Sequence, residues 1–265
     1  MTKAGILEIF RQHELILELT KRQLTLSHKG SVLGVVWILL SPLTTLAIYL
    51  LVFGFIFGGK FMPDESKFDY GLGIFLGLAI VHFLSEIFGT APQVMFAHSN
   101  YLKRSTIPIQ IIPVVTLLCA IFHLLVSTIF VILGHIISKG SLSPNTLWIF
   151  PLGMCLFSIG LGLSWLLASL GTLFRDISQF AGPLSLGTLF CSAVFYPIDQ
   201  IPESIWNILK FNPILHVVNE LRSTVLWNEP IDLGALQYLI AVSGTTLILG
   251  WFVFSFTKSK LIEIV

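Results

Sequence analysis

Two ionisable residues, His82 and Glu86, lie inside a long apolar stretch of the sequence. Because they are four positions apart, they share one face of a helix and are within reach of each other. An acid inside a membrane segment is costly to bury and is a functional hypothesis by default. A proton relay usually needs more such groups, and His123 and His135 are the only other candidates in the apolar stretches. Two interpretations stay open: a proton-coupled site, or a polar pair that faces a bundle interior or a subunit interface.

Motifs for other kinds of chemistry are missing from the sequence. It contains no GxxxxGK[ST] phosphate loop, no HExxH, and no GxSxG beside a candidate base. The three cysteines lie in long apolar runs without CxxC or metal-like spacing, which indicates small hydrophobic side chains; they are Cys119, Cys155 and Cys191. The chain is therefore predicted to hold no metal and no cofactor of its own, and not to be an enzyme.

One group of residues keeps an enzymatic alternative open. A membrane enzyme that acts on lipid-linked sugars or acyl groups would need several acids or a His-Asp pair near one interface. The only such group is Asp199, Glu203, His216 and Glu220. A solvated hairpin explains these residues better than an active site does.

The composition indicates a membrane protein. Of the 265 residues, 55% are hydrophobic and only 11% are charged, whereas soluble domains carry about 25% charged residues. Too little charge remains to cover the surface of a soluble fold of this size. The formal net charge of +1 provides no field that would attract nucleic acid.

Six apolar stretches are long enough to cross a bilayer core, which needs about 20 residues of helix. They cover residues 32–58, 72–97, 107–137, 146–174, 180–198 and 233–256. The fifth is the shortest, and Gly182-Pro183 interrupts it. Ten of the fifteen Lys and Arg residues fall on one side of these spans, together with both termini. Positive charge concentrates in cytoplasmic loops, so both termini are predicted to be cytoplasmic.

Two further segments are predicted not to span. Residues 5–26 form an amphipathic helix with charges of both signs on one face, which suits the membrane surface. Residues 197–232 hold two short apolar pieces separated by Asn212-Pro213, which indicates a re-entrant helical hairpin. The predicted fold is an all-α integral membrane protein. Its interface helix occupies residues 1–30, and a six-helix domain with the hairpin before the last span occupies residues 31–265.

Aromatic residues are concentrated in the first apolar stretch. Trp37, Tyr49, Phe53 and Phe57 lie there, and Tyr196 lies near the end of the fifth stretch. Such rings either face lipid near the membrane interface or line a path and stack on sugar rings. Composition alone favours the lipid-facing interpretation.

Two short polar segments lie on the predicted cytoplasmic side. The loop 98–107 is basic, and the fourth stretch ends in Arg175-Asp176. Basic residues are typical of cytoplasmic loops, which is enough to explain the loop 98–107. An ion pair in water at the end of a helix is enough to explain Arg175-Asp176. Patterning alone assigns neither segment a function.

Short motifs run in a fixed order along nearly the whole chain. They are Arg22-Gln23, His28-Lys29, Ser31-x-Leu33-Gly34-x-x-Trp37, Pro42-Leu43, Asn100 to Arg104, Phe174-Arg175-Asp176, Tyr196-Pro197, Asn212-Pro213 and Glu220-x-Arg222. The ordered set resembles type-2 ABC exporter permeases. The length and the lack of a large soluble insert are most similar to the polysaccharide exporters of that family, the Wzm-type O-antigen, capsule and teichoic-acid permeases. His28-Lys29 departs from the Arg-Tyr pair or similar that is common there.

This resemblance implies a half-transporter in the bacterial cytoplasmic (inner) membrane. Two copies would form a homodimer among membrane lipids, and each copy would bind a separate cytoplasmic ATPase subunit that holds ATP and Mg. The substrate would be a lipid-linked polysaccharide, with O-antigen as the first candidate. Capsule or teichoic-acid export, and drug or lipid export within the same family, remain alternatives. A remoter one is a proton-coupled secondary transporter that uses His82 and Glu86, although the chain shows no internal repeat of the kind common in that class.

The resemblance also implies roles for individual residues. The loop 98–107 would couple to the ATPase through Ser99, Asn100, Tyr101, Leu102, Lys103 and Arg104. Arg175 and Asp176 would form a cytoplasmic gate, and the hairpin would close the outer mouth. Trp37, Tyr49, Phe53, Phe57 and Tyr196 would line the channel.

Overall fold

The computed structural model describes residues 11–27, 30–63, 65–99 and 108–264. Across these ranges the regular structure is helical, and none of them contains a strand. An apolar chain in lipid must satisfy its backbone hydrogen bonds within itself, and helices do so. The predicted all-α class is confirmed.

We number the helices of the described ranges from the N-terminus. They are α1 (His13–Ser27), α2 (Trp37–Tyr49), α3 (Lys67–Thr90), α4 (Ile111–Lys139), α5 (Ile149–Leu173), α6 (Ala181–Cys191), α7 (Glu203–Leu209), α8 (Pro213–Val225) and α9 (Leu233–Ile264). Helix α2 continues as a π-helix over Leu50–Phe57. Helix α3 continues to Ala97 through a single 3-10 turn.

Five of the described helical segments are long and apolar enough to cross a membrane. They are Trp37–Phe57, Lys67–Ala97, Ile111–Lys139, Pro144–Leu173 and Leu233–Leu261. They match five of the six predicted stretches. The sixth, residues 180–198, contains only the 11-residue helix α6. At 1.5 Å per residue α6 is roughly 16 Å long, about half of a bilayer core. The predicted count of six membrane helices is therefore not confirmed.

Helix α6 ends early because side chains from elsewhere bind the backbone that follows it. The Asn212 side-chain amide donates to the carbonyl of Cys191 at 2.8 Å. The next residues turn sharply, and Ala193 adopts a φ of 51°, a conformation that a non-glycine residue rarely takes. A hydropathy profile reflects only neighbouring residues, so it could not predict that Asn212, 21 residues away, ends this helix.

Helix α3 is the centre of the bundle. In its most apolar window 83% of the residues are buried, compared with 6% in α2. Its side chains pack against α4, α5 and α8 in one continuous core; fully buried members include Leu72, Ile80, Phe83, Leu117, Leu156 and Val217. A helix that is apolar all round is expected to lie inside, whereas α2 is left largely uncovered by the rest of the chain.

The bundle has two distinct ends. At the α1 end, where α3 ends and α4 begins, Ile16 of α1 packs against Met95 and Ile111. Residues 13–27 are therefore helical, and Ile16 and Thr20 are buried. The position of this helix at the membrane surface stays a prediction, and the predicted residues 5–10 lie outside the described ranges. At the hairpin end, where α3 begins and α4 ends, α7 and α8 meet at Asn212-Pro213. Asn212 caps α8 by accepting the Ile214 amide at 3.0 Å.

The two hairpin helices differ in burial. Helix α8 buries ten of its 13 residues, whereas α7 buries none. The two short helices were predicted from the sequence. Re-entry of the two helices into the membrane is not confirmed and stays a prediction.

Candidate functional site

Three of the predicted channel residues form one aromatic stack. The rings of Tyr49, Phe53 and Phe57 follow one face of the first span at four-residue intervals. Their centroids are 5.6 and 5.5 Å apart, with interplanar angles of 11° and 29°. Phe195, from the turn after α6, stacks on Phe53 at 5.0 Å and 18°. This geometry is the offset arrangement that aromatic pairs favour, and it presents a continuous row of ring faces.

Tyr196 lies beside this aromatic stack. Its hydroxyl donates a hydrogen bond to the carbonyl of Phe190, and the Phe190 ring lies 6.3 Å from that of Phe195. The bond fixes the turn after α6, which carries Phe195 to the stack. Sequence reasoning missed Phe195, and its place in an aromatic pair with Tyr196 was the one signal that could have found it.

Trp37 does not join the aromatic stack. It lines a separate cavity of about 480 Å³ between α2, α3 and α4, together with His82 and Glu86. Glu86 is bonded to His123 of α4, with Oε2 and Nδ1 2.8 Å apart. The predicted partner of Glu86 was therefore wrong. His82 and Glu86 line the same cavity, but Glu86 of α3 is hydrogen-bonded to His123 of α4. The side chains of His123 and Glu86 remain 38% and 27% exposed.

Arg222 of α8 is a buried cation with three backbone hydrogen-bond partners. Its guanidinium donates to the carbonyls of Gly73, Ala193 and Val194 at 2.8, 2.7 and 2.6 Å. It also lies 4.1 Å from the centroid of the Phe61 ring, a favourable cation–π distance. A guanidinium keeps its charge at neutral pH, so all three bonds are charge-assisted. Arg222 ties the hairpin to α3 and to the turn that carries Phe195.

Comparison with known proteins places this arrangement in a family. The sequence profile described as ABC-2 type transporter matches residues 14–226, which include the aromatic stack, the cavity and Arg222. The chain belongs to the ABC-2 type transporter family.

Relatives of this ABC-2 type transporter match it over nearly its full length. The O-antigen export system permease protein RfbA of Klebsiella pneumoniae is 25% identical over 264 residues, covering 95% of each chain. The protein of the same name from Myxococcus xanthus is 24% identical, covering 96% of this chain and 95% of its own. The polysialic acid transport protein KpsM of Escherichia coli is 25% identical, covering 82% of this chain and 83% of its own.

The predicted gate residues of this ABC-2 type transporter lie at the α1 end. Arg175 and Asp176 begin the 3-10 helix Arg175–Phe180 that joins α5 to α6, and both are exposed. The Arg175 guanidinium lies 5.3 Å from the centroid of the Phe96 ring, near the end of α3. Within the described residues the two form no ion pair with each other, so the simple explanation by a helix-end pair is not supported.

The predicted coupling residues fall mostly outside the described ranges of the transporter. Ser99 is described and half-buried. It lies at the α1 end, two residues after the helical segment that ends at Ala97. Asn100, Tyr101, Leu102, Lys103 and Arg104 are outside the described residues. Their role stays a prediction.

The residues that kept an enzymatic alternative open do not converge. Glu220 accepts the Asp232 amide at the start of α9 at 3.1 Å, and burial raises the pKa of its carboxyl. His216 instead bonds the Lys210 carbonyl at 2.8 Å, and Asp199 and Glu203 are exposed. In the part of the chain that is described, no three His, Cys, Asp or Glu residues are placed to hold a metal.

Proposed function

We propose that this chain is the membrane-spanning permease subunit of an ATP-driven exporter of lipid-linked polysaccharide, with O-antigen as the first candidate. The observation that carries the proposal is the full-length similarity to O-antigen export permeases, which covers 95% of both chains. The stack of Tyr49, Phe53, Phe57 and Phe195 supports it, because ring faces along a helix suit the apolar faces of sugar rings. Among the described residues no ring of fixed charge borders this stack, which suits a neutral or weakly charged glycan.

The aromatic stack lies where a second copy of the chain would enclose it. Only 6% of the residues in the most apolar window of the first span are buried, and α6 has no buried residue. The stack joins this span to the turn after α6. We therefore place the homodimer contact on this face, so that two aromatic stacks face each other across one path. Lipid would cover the remaining apolar surface.

A sixth passage through the membrane follows from the positions of the helix ends. Helix α5 ends at the α1 end, where Gly171 approaches Pro92. Helix α9 begins at the hairpin end, where Asp232 bonds Glu220. These positions support a crossing by the chain between them, and we assign it to α6 together with the turn after it. Both termini then lie on one side, which the excess of Lys and Arg identifies as cytoplasmic.

Arg222 makes such a crossing possible. Backbone that is not helical can lie at membrane depth only when protein groups satisfy it. Gly73, one of the three acceptors of Arg222, is six residues into α3, roughly 9 Å along its axis. The guanidinium thus donates hydrogen bonds to the carbonyls of Ala193 and Val194 at a level inside the bundle, away from its hairpin end. The same contact holds the hairpin, which would close the outer mouth.

ATP would act from the partner subunit. The ATPase would bind ATP and Mg, and its movement would reach this chain through the loop 98–107 and the neighbouring helix α1. Arg175 and Asp176, exposed at the same end, would stand where the lipid-linked substrate is admitted. The polyprenyl tail can stay in lipid while the glycan enters the path.

The test is co-purification of the tagged chain with the ATPase encoded beside its gene. We expect a complex with two copies of each subunit and ATP turnover. Replacing Tyr101, Leu102, Lys103 and Arg104 with alanine should abolish the complex or uncouple it. The matched control is Lys258→Ala with Lys260→Ala, two basic residues on the same predicted side, which should keep the complex. Failure to bind any ATPase would remove the proposal.

Capsule export is the second candidate, and the similarity to a polysialic acid transport protein favours it. Complementation separates the two. Expression of the chain with its ATPase in strains that lack either an O-antigen permease or a capsule permease should restore surface polymer in only one of them.

A further inference from the structure

A second cavity, at the hairpin end, is separate from the aromatic stack and from the Glu86 cavity. It has a volume of about 670 Å³, within the range of about 300–1,000 Å³ that small-molecule sites occupy. Three segments enclose it: the loop before α3, the end of α4 with the loop after it, and the residues that follow α8. We call it the outer pocket.

Two residues that line the outer pocket each hold a buried polar atom without a hydrogen-bond partner among the described residues. His135 of α4 is 5% exposed, and its Nδ1 has no hydrogen-bond partner among the described residues. The hydroxyl of Ser143, in the loop after α4, is likewise buried and has no hydrogen-bond partner among the described residues. Buried polar groups are nearly always hydrogen-bonded. Two unpartnered groups lining one cavity therefore point to a ligand that reaches both.

The carboxylates of the outer pocket are mostly engaged by the protein itself. Glu65 accepts the Phe61 amide at 2.7 Å and the Trp227 indole N–H at 3.1 Å, one on each oxygen. Asp69 accepts the Ser138 hydroxyl at 2.7 Å on one oxygen. The other oxygen of Asp69 accepts the Ser66 hydroxyl and lies beside the ammonium group of Lys139. Each oxygen of these two acids thus already has a partner in the protein, and the bonds hold the walls of the pocket in place.

Other polar groups remain available at the rim of the outer pocket. Lys139 supplies that ammonium group, 3.1 Å from Asp69, and its side chain is half-exposed. Glu229 also lines the pocket, and Ser141 adds a hydroxyl. Leu142 and Leu226 supply apolar surface between them.

The chemistry of these walls selects a class of ligand. Among the described residues that line the pocket, three acids (Glu65, Asp69 and Glu229) face one lysine, Lys139, which disfavours an anion. A metal ion is disfavoured because the buried acids are already engaged and no three metal-type ligands gather in the described residues. A purely apolar ligand would leave His135 unpaired. A hydroxyl group both donates and accepts, so it suits either tautomer of an imidazole.

We propose that the outer pocket binds a neutral sugar residue through its hydroxyl groups, with His135 and Ser143 as inner contacts and Lys139 and Glu229 at the rim. The sugar belongs either to a polymer that emerges from this protein or to free saccharide on that side of the membrane. The first of these sources rests on the proposed function, whereas binding of free saccharide does not.

The test measures sugar binding by saturation-transfer NMR on the chain in lipid nanodiscs. Glycoside detergents are avoided because their head groups would compete. The probes are the methyl glycosides of glucose, galactose, mannose, rhamnose and N-acetylglucosamine. Methyl glucuronide is the charged match for methyl glucoside. We expect saturable binding of at least one neutral probe and weaker binding of the glucuronide.

Variants locate the binding. Ser143→Val and His135→Leu should each weaken it by about tenfold, as the loss of one buried hydrogen bond to a ligand does. Glu229→Gln should weaken it less, because the amide still accepts. The matched controls are Ser158→Val on α5 and Glu203→Gln on α7, both outside the pocket, and both should bind as the parent does.

The outcomes separate this inference from the proposed function, because the experiment needs neither ATPase nor export. Failure of all five neutral probes to bind would overturn the inference, as would unchanged binding in both Ser143→Val and His135→Leu. Equal binding of methyl glucuronide would overturn the assignment to neutral sugars. Tighter binding of the intact exported polymer than of the free glycosides would identify the emerging chain as the source. Equal binding would identify free saccharide.

Discussion

Two ionisable sites inside this bundle differ in how completely the protein satisfies them. Arg222 is 2% exposed and donates to three backbone carbonyls. Glu86 and His123 share one hydrogen bond and remain partly exposed in a cavity. A buried charge without partners is very costly, so full satisfaction marks a group on which the fold depends. A partly open pair keeps the freedom to exchange protons or bind a ligand.

The difference follows from what each site adjoins. Arg222 meets backbone that has left the helix, at Ala193 and Val194, and those carbonyls have no partner within a helix. Glu86 and His123 come from regular helices, α3 and α4, whose backbones need nothing from them. The first site should therefore control folding, and the second should leave the fold almost unchanged when altered.

The largest effect is expected for Arg222→Met. This change keeps much of the side-chain volume but leaves the buried carbonyls of Ala193 and Val194 without their donor, at a cost of about 1–3 kcal/mol each. Arg222→Lys should rescue only part, because one ammonium cannot match the planar fork of the guanidinium. The measurements are the yield of monodisperse protein and its unfolding temperature. Arg175→Met, which removes an exposed arginine, should leave both unchanged. Parent-like stability of Arg222→Met would show that the two sites do not differ as described.

An intermediate effect is expected for Gly77→Ala. A Cβ at this position would lie 2.8 Å from Nη2 of Arg222 and 3.2 Å from the Val194 side chain. Overpacking of this kind costs about 1–3 kcal/mol. Gly89→Ala is the matched control, because Gly89 lies on the same helix and a methyl group added there would meet no atom within 4 Å. Thermal unfolding of the two variants side by side checks the prediction, and equal stabilities would contradict it.

The smallest effect is expected for Glu86→Gln. The amide oxygen can still accept a hydrogen bond from His123, and the site is partly exposed, so the unfolding free energy should change by no more than about 1 kcal/mol. Export driven by ATP should continue at the parent rate. A proton-coupled transporter would instead lose transport altogether. Transport assayed at several pH values in both proteins distinguishes the two mechanisms.

Local features of this protein were predictable from the sequence. Five of the long helices, the two hairpin helices and the spacing of Tyr49, Phe53 and Phe57 follow from hydropathy and helical periodicity, which act over a few residues. A polar surrounding for His82 and Glu86 was also indicated, because a charged residue in an apolar stretch must face something polar, but the cavity itself was not predicted.

Long-range partners were not predictable in this way. His123 is 37 residues from Glu86, and Arg222 is 149 residues from Gly73. Only the packing of α3 against α4 and α8 brings these groups together. The early end of α6 has the same origin. Its hydropathy suits a membrane helix, but Asn212 binds its last carbonyl, at Cys191, and Arg222 binds the carbonyls of Ala193 and Val194 beyond it. Sequence periodicity carries no information about such donors.

The most direct test of the account is ATP-dependent movement of lipid-linked polysaccharide by the permease and its ATPase in proteoliposomes. The parent complex should protect the polymer from an added glycosidase in the presence of ATP. Tyr49→Leu combined with Phe53→Leu should reduce this protection by about tenfold while the complex remains intact. Phe252→Leu, which alters a ring that is 66% exposed on α9, should match the parent. If the parent complex hydrolyses ATP without moving polymer, or if the double variant moves it at the parent rate, the account is contradicted.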